Sequence, residues 1–139
     1  MPKISIIIPT YNESLHLPLL LSDLSISNEE AEIIIVDSNS EDKTKEIGKL
    51  YGSKIYISKK KNRGLQLNIG AKKAKGKWFI FIHADSRIRQ GWLKKVEIEG
   101  FRPIWRHPRQ NTAPAGLNIA QNSWMATQLV TKRCDLGWW

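Results

Sequence analysis

Three stretches of this 139-residue chain are almost unbroken β-branched or aromatic sequence: Ile4-Ser5-Ile6-Ile7-Ile8, Glu32-Ile33-Ile34-Ile35-Val36 and Trp78-Phe79-Ile80-Phe81-Ile82. A strand with one wet face alternates apolar and polar residues. A strand that is apolar at nearly every position is covered on both faces, as in the parallel sheets of α/β proteins. The spacing predicts strands over Lys3–Ile8 (stopped by Pro9), Glu32–Val36 (ending on Asp37), Lys54–Ile57 and Trp78–Ile82. Between them the apolar period is helical. Leu15 to Leu24 reads as a helix with Pro18 in its first turn. Ser38 with Glu41, or Asn39 with Asp42, forms a capping box for a helix ending near Leu50 and Gly52. Asn62 caps a third helix through Leu65, Ile69 and Ala74, which Gly76 closes. The order β-α-β-α-β-α-β predicts a parallel sheet with right-handed crossovers and helices on both faces. Further on, Gln90–Glu97 reads as a helix. Leu117, Ala120, Trp124 and Leu129 fall on one face of a helix over Leu117–Lys132.

In such sheets ligands bind outside the carboxyl ends of the strands. Three predicted strand ends carry polar clusters: Pro9-Thr10-Tyr11-Asn12-Glu13, Asp37-Ser38-Asn39-Ser40 and His83-Ala84-Asp85-Ser86. Each alone is explained by helix capping; all three on one rim point to a bound group. Charge points the same way. The net charge is +9, and no acidic residue lies between Glu46 and Asp85, an interval holding Lys59-Lys60-Lys61, Arg63 and Lys72-Lys73. Such a field attracts nucleotides, nucleic acid or an acidic membrane surface, or it is a solvated basic face. With 41% hydrophobic and 25% charged residues, global disorder is excluded. No apolar run reaches the ~20 residues of a membrane span, and the N-terminus has no signal-peptide core. The single Cys134 allows no internal disulfide and no all-cysteine zinc site. The expected location is cytoplasmic, or peripheral to a membrane.

Four segments in order resemble the family 2 glycosyltransferases: Ser5–Glu13, Ile33–Thr44, Asn62–Ala71 and Phe79–Ser86. The stretch Arg63-Gly64-Leu65-Gln66-Leu67-Asn68-Ile69-Gly70-Ala71 followed by His83-Ala84-Asp85 is most similar to a bacterial subgroup of that family. The resemblance covers roughly residues 3 to 99 and implies a Rossmann-like, GT-A-type fold that binds a nucleoside diphosphate sugar. It implies that Pro9, Tyr11 and Glu13 shape the nucleotide pocket. Asp37, with Ser38 beside it, would meet the base. Arg63, Gln66 and Asn68 would lie near the nucleotide and its diphosphate. Asp85 would match the last aspartate of the family's D-x-D motif and hold Mg²⁺ or Mn²⁺. His83 stands where the commoner motif has aspartate. It is read as a contact to ribose or phosphate, a metal ligand, or a packed strand-end histidine.

The chemistry fits independently. A cation on the diphosphate neutralises charge on the leaving group. Hard cations take one or two carboxylates plus phosphate oxygens and water. Arg63 offers a planar fork suited to phosphate. A carboxylate such as Asp37 accepts from an imide N–H, which favours UDP-sugars and leaves GDP-sugars open.

The acceptor half is where the resemblance stops. An inverting transferase needs a general base for the acceptor hydroxyl. After Asp85 the carboxylates are Glu97, Glu99 and Asp135, none at the expected place. The chain therefore divides into a nucleotide-sugar-binding α/β domain over residues 1–100 and a Pro- and Trp-rich tail over 101–139. The tail reads as truncated or atypical, and its tryptophans suit a membrane surface or a partner protein. The leading expectation is a glycosyltransferase domain that transfers sugar to a hydroxyl with inversion. Beside it stand a non-catalytic nucleotide-sugar-binding module or inactive fragment, and a basic nucleic-acid-binding protein, for which no defined module is present.

Overall fold

The computed structural model describes residues 4–25, 31–88 and 129–132. In chain order these form β1 (Ile4–Thr10), α1 (Leu17–Ser25), β2 (Ala31–Asp37), α2 (Thr44–Leu50), β3 (Lys54–Ile57), α3 (Arg63–Lys73), β4 (Trp78–Phe81) and β5 (Leu129–Lys132). They make one sheet in the order β3-β2-β1-β4-β5. The first four strands are parallel, and β5 runs antiparallel on the outer edge of β4. The parallel part, with its intervening helices, is the α/β architecture that the sequence predicts.

The continuous apolar strands are explained by two cores. Ile4, Ile6 and Ile8 of β1, with Ile35, Ile80 and Ile82, pack on the leucines of α1 at 17, 20, 21 and 24. Ile7, Ile34, Val36, Phe79 and Phe81 point to the other face, where Ala71 of α3 and the partly buried Leu67 cover them. Successive side chains alternate faces, so both parities must be apolar. The topology also fixes where a ligand belongs. From β1 the chain crosses to β2 and β3 on one side, then returns past β1 to β4 on the other. The crevice between the carboxyl ends of β1 and β4 is the switch point.

Four local expectations are corrected. Pro9 does not stop β1, which runs on to Thr10, pairing Pro9 with Val36 and Thr10 with Asp37. The carbonyl of Ile7 accepts from Ile82 N, so the missing N–H of Pro9, two residues on, turns toward β4. The β4 ladder has already ended there, at the pair Ile7 and Phe81, and no bond is lost. Secondly, Ser38–Asp42 is not a capping box. Helix α2 begins at Thr44 after Lys43, without a side-chain cap, because the polar residues before it serve a loop network. Thirdly, α3 ends at Lys73 with Ala74 as its cap. Gly76 serves close approach instead: a Cβ there would meet Ser5 N at 2.6 Å. Finally, Leu129–Lys132 is a strand and not the end of a helix. Val130 and Thr131 are β-branched, and β4 offers them an open edge to pair with. The Gln90–Glu97 helix, the remainder of the 101–139 tail, and Glu97, Glu99 and Asp135 lie outside the described residues. Among the described residues no helix is long and apolar enough to cross a membrane.

Candidate functional site

The base of the rim is held by Asp37. Its side chain is 0% exposed. One carboxylate oxygen accepts from Thr10 Oγ1 at 2.8 Å and Ser40 Oγ at 2.5 Å, the other from Ser40 N at 2.8 Å. Gln66 reaches up from the first turn of α3 and is also buried. Its Nε2 donates to the carbonyls of Thr10 and Val36, at 3.0 and 2.8 Å. These two side chains tie the ends of β1 and β2 together and satisfy backbone groups where the ladder stops.

Above this base the loop after β1 is fastened to the loop after β2. Asn12 N donates to Ser40 Oγ, Glu13 N to Thr44 Oγ1, and Ser14 N to Asp42 Oδ2, at 2.8, 2.9 and 3.1 Å. Asn12 Oδ1 accepts from Glu41 N in return. Asn12 and Asn39 take positive φ, 49° and 55°, a conformation asparagine tolerates better than most residues. Asp42 also accepts from the backbone N–H and the hydroxyl of Thr44. Burial would raise its pKa, but the bonds from Thr44 and Ser14 outweigh that and hold it at about 2. The loop after β3 forms a third wall. The Lys60 carbonyl accepts from Ser38 Oγ at 3.1 Å and Ser58 Oγ at 2.8 Å. The next residue, Lys61, places its Nζ 3.8 Å from the centre of the Tyr11 ring, a cation–π contact.

At the switch point four charged or titratable groups feel one another. Glu13 has its pKa raised, first by burial; Asp85 and Asp42 add to the rise, while His16 and Arg63 oppose it. His83 has its pKa lowered by burial and by Arg63, with Asp85 opposing. Glu13 in the loop after β1, Arg63 at the start of α3, and His83 and Asp85 in the turn after β4 thus lie near enough for their charges to act on one another. That turn is closed by Ser86 N on the His83 carbonyl. It is tethered to α1, where Asp23 accepts two bonds from the Arg87 guanidinium, at 2.8 and 3.0 Å, and one from Ile88 N at 3.0 Å.

All the site residues expected from sequence except Asn68 thus fall into two groups. Tyr11, Glu13, Arg63, His83 and Asp85 border the crevice. Pro9, Asp37, Ser38 and Gln66 are buried beneath it. Asp37 and Gln66 direct their hydrogen bonds to Thr10 and Ser40 and to the carbonyls of Thr10 and Val36. Asn68 is exposed and two residues from Gln66, so a period of 3.6 puts it on the opposite side of α3. Thr10 and Ser40 belong to clusters visible in sequence, yet their role as partners of Asp37 is not readable there. The Asp23–Arg87 tether and the Lys61–Tyr11 contact join distant positions and leave no local signal.

The described residues contain no group of three or more His, Cys, Asp or Glu side chains able to enclose a metal ion. They do present the exposed carboxylate of Asp85 across from Arg63 and Glu13. That suits a hard cation which takes its other ligands from phosphate and water. His83 is half-buried, and its buried Nδ1 has no hydrogen-bond partner among the described residues.

Comparison with known proteins gives consistent results. The profile of the family described as Glycosyl transferase family 2 matches residues 5–97. An uncharacterized glycosyltransferase of Rickettsia typhi is 39% identical over 87 residues, 60% of this chain and 27% of that protein. The dolichyl N-acetyl-alpha-D-glucosaminyl phosphate 3-beta-D-2,3-diacetamido-2,3-dideoxy-beta-D-glucuronosyltransferase of Methanococcus voltae is 36% identical over 134 residues. That match takes in 88% of this chain and 41% of that protein. Among solved structures, residues 1–349 of TarS from S. aureus superpose with a TM-score of 0.65 at 28% identity, covering 69% of this chain and 31% of that one. The same protein is also known in complex with UDP. The chain spans well under half the length of each of these relatives.

Proposed function

The chain belongs to glycosyl transferase family 2, and from that premise we propose that its crevice binds a nucleoside diphosphate sugar together with Mg²⁺ or Mn²⁺. The sugar would pass to a hydroxyl acceptor with inversion. The observation that carries this reading is the convergence of Glu13, Arg63, His83 and Asp85 at the switch point between β1 and β4.

In this reading Asp85 holds the cation, which supplies charge neutralisation on the departing diphosphate. Arg63 stands at the first position of α3, where its guanidinium and the helix N-terminus both favour a phosphate. Tyr11 and the loop carrying Lys61 wall the nucleoside. Ser38 lies beneath that wall, with its hydroxyl on the Lys60 carbonyl. His83, kept neutral by burial, presents its ring to ribose or phosphate. Asp37 and Gln66 are assigned to holding the rim rather than touching the ligand. A uridine nucleotide is favoured, because the similar TarS binds UDP; a guanosine nucleotide is the next choice.

A second reading has one specific support. In the sequence the carboxylates after Asp85 are Glu97, Glu99 and Asp135, none at the place the family resemblance gives the general base. On this reading the domain binds the donor without turning it over.

Titration calorimetry of UDP and GDP, with and without Mn²⁺, tests the site. The wild type is expected to bind UDP in a Mn²⁺-dependent manner, and Asp85→Ala to lose that dependence. Equal affinity in the two proteins overturns the assignment. Sugar release from a UDP-sugar then separates a transferase from a binding module.

A further inference from the structure

We propose that the corner formed by the end of β3, the loop after it and the first turn of α3 seats this protein on an anionic lipid bilayer, with the carboxyl rim turned toward the membrane. The carrying residues are Ile57, Lys59, Lys60 and Leu65, all exposed. This docking does not rest on the donor-site reading.

Charge and apolar surface coincide here. Ile57 is 47% exposed and Leu65 38%, and they flank the run Lys59-Lys60-Lys61 and Arg63. No acidic residue occurs anywhere from 47 to 84. A face that only keeps a protein soluble gains nothing from bare aliphatic side chains on either side of its lysines. An anionic interface takes both, the ammonium groups among headgroups and the aliphatic groups at the acyl boundary. Leu15, 82% exposed in the turn that leaves β1, puts a third aliphatic side chain on the same rim.

The corner is also held in place. The Lys60 carbonyl accepts from Ser38 Oγ, Ser58 Oγ and Asn62 N. Asn62 then caps α3 through Leu65 N at 3.0 Å. The cations are thus presented from a fixed loop, and less freedom is lost on docking. Ile57 pairs with Asp37, so the corner stands level with the rim.

Sedimentation of the full chain with vesicles provides the test, using phosphatidylcholine alone and phosphatidylcholine with phosphatidylglycerol. Binding is expected only to the phosphatidylglycerol vesicles, and it should weaken as salt rises. Lys59→Glu/Lys60→Glu should reduce it about tenfold or more. Leu65→Ser should weaken it at unchanged charge. Circular dichroism verifies that each variant is folded; if the double glutamate variant is not, Lys59→Ser/Lys60→Ser replaces it. Binding to neither vesicle, equal binding to both, or full binding by the folded lysine variants overturns the proposal. Salt-sensitive binding to a duplex oligonucleotide without vesicle binding overturns it in favour of nucleic acid.

Discussion

Two buried carboxylates sit at opposite ends of the same strand, and each joins neighbouring segments. Asp37 closes the rim at the end of β2. Near the start of β2, Glu32 accepts from Ser5 Oγ at 2.5 Å, Lys75 N at 2.6 Å and Lys54 Nζ at 2.6 Å. It joins β1, β3 and the exit of α3. Burial alone would raise the Glu32 pKa. The bonds from Lys54, Ser5 and Lys75 outweigh burial and leave it below the ordinary 4.5. A carboxylate with a depressed folded-state pKa contributes stability above its unfolded value and loses it as pH falls through the folded one. The unfolding free energy should therefore drop as pH goes below 4.5. In Glu32→Gln that drop should be shallower. Urea denaturation at a series of pH values checks this, and parallel curves for the two proteins would remove Glu32 from the account. The sequence shows that Asp37 ends a strand, but not which way it points. Its direction depends on Thr10, 27 positions away, and a strand-end carboxylate reads alike whether it faces a ligand or folds back.

Elements meet at glycines, and the quality of each contact predicts what substitution does. A Cβ on Gly70 of α3 would collide with Ile7 Cγ2 and stand 3.2 Å from Val36 Cγ2. Both are branch methyls next to the backbone of buried strands, with little room to turn. A Cβ on Gly48 of α2 would meet Ile55 Cδ1 at 2.6 Å and Ile35 Cδ1 at 2.8 Å, the free ends of longer side chains. Alanine gains up to about 1 kcal/mol in a helix interior over glycine, while overpacking a rigid contact costs about 1–3 kcal/mol. Gly70→Ala should thus destabilise by about 1–2 kcal/mol, and Gly48→Ala should stay within about 1 kcal/mol of wild type. Chemical denaturation ranks the two, and the reverse order would contradict this packing. At this scale the sequence was most informative. Apolar period distinguishes helix from doubly covered strand without any tertiary knowledge. It fails where one stretch serves two purposes. Ser38–Asp42 has the composition of a cap but is used to clasp another loop. Leu129–Lys132 fits a helical period but is claimed by the open edge of β4.

Taken whole, the molecule holds its rim in two ways. The loops after β1, β2 and β3 are bonded to one another through Asn12, Ser38, Ser40, Asp42 and Thr44. The turn after β4 stands across the switch point and is tethered instead to α1, by Asp23 to Arg87 and Ile88. Asp85, the residue proposed to hold the cation, rides on that turn, two positions before Arg87. The tether joins exposed Arg87 to partly buried Asp23, so the packed core does not depend on it. Its effect should appear at the site. In Asp23→Ala the turn keeps its Ser86 to His83 bond and the packing of Ala84 and Ile88 against the α1 leucines, but loses the hydrogen bonds that fix its orientation. Residues that orient a ligand from behind typically cost about tenfold or more in metal affinity when removed. Asp23→Ala should therefore weaken Mn²⁺-dependent UDP binding by about tenfold, while the urea midpoint stays near that of the wild type. Unchanged binding would mean that Asp85 is positioned without the tether. An equal fall in stability and binding would mean that the tether belongs to the core.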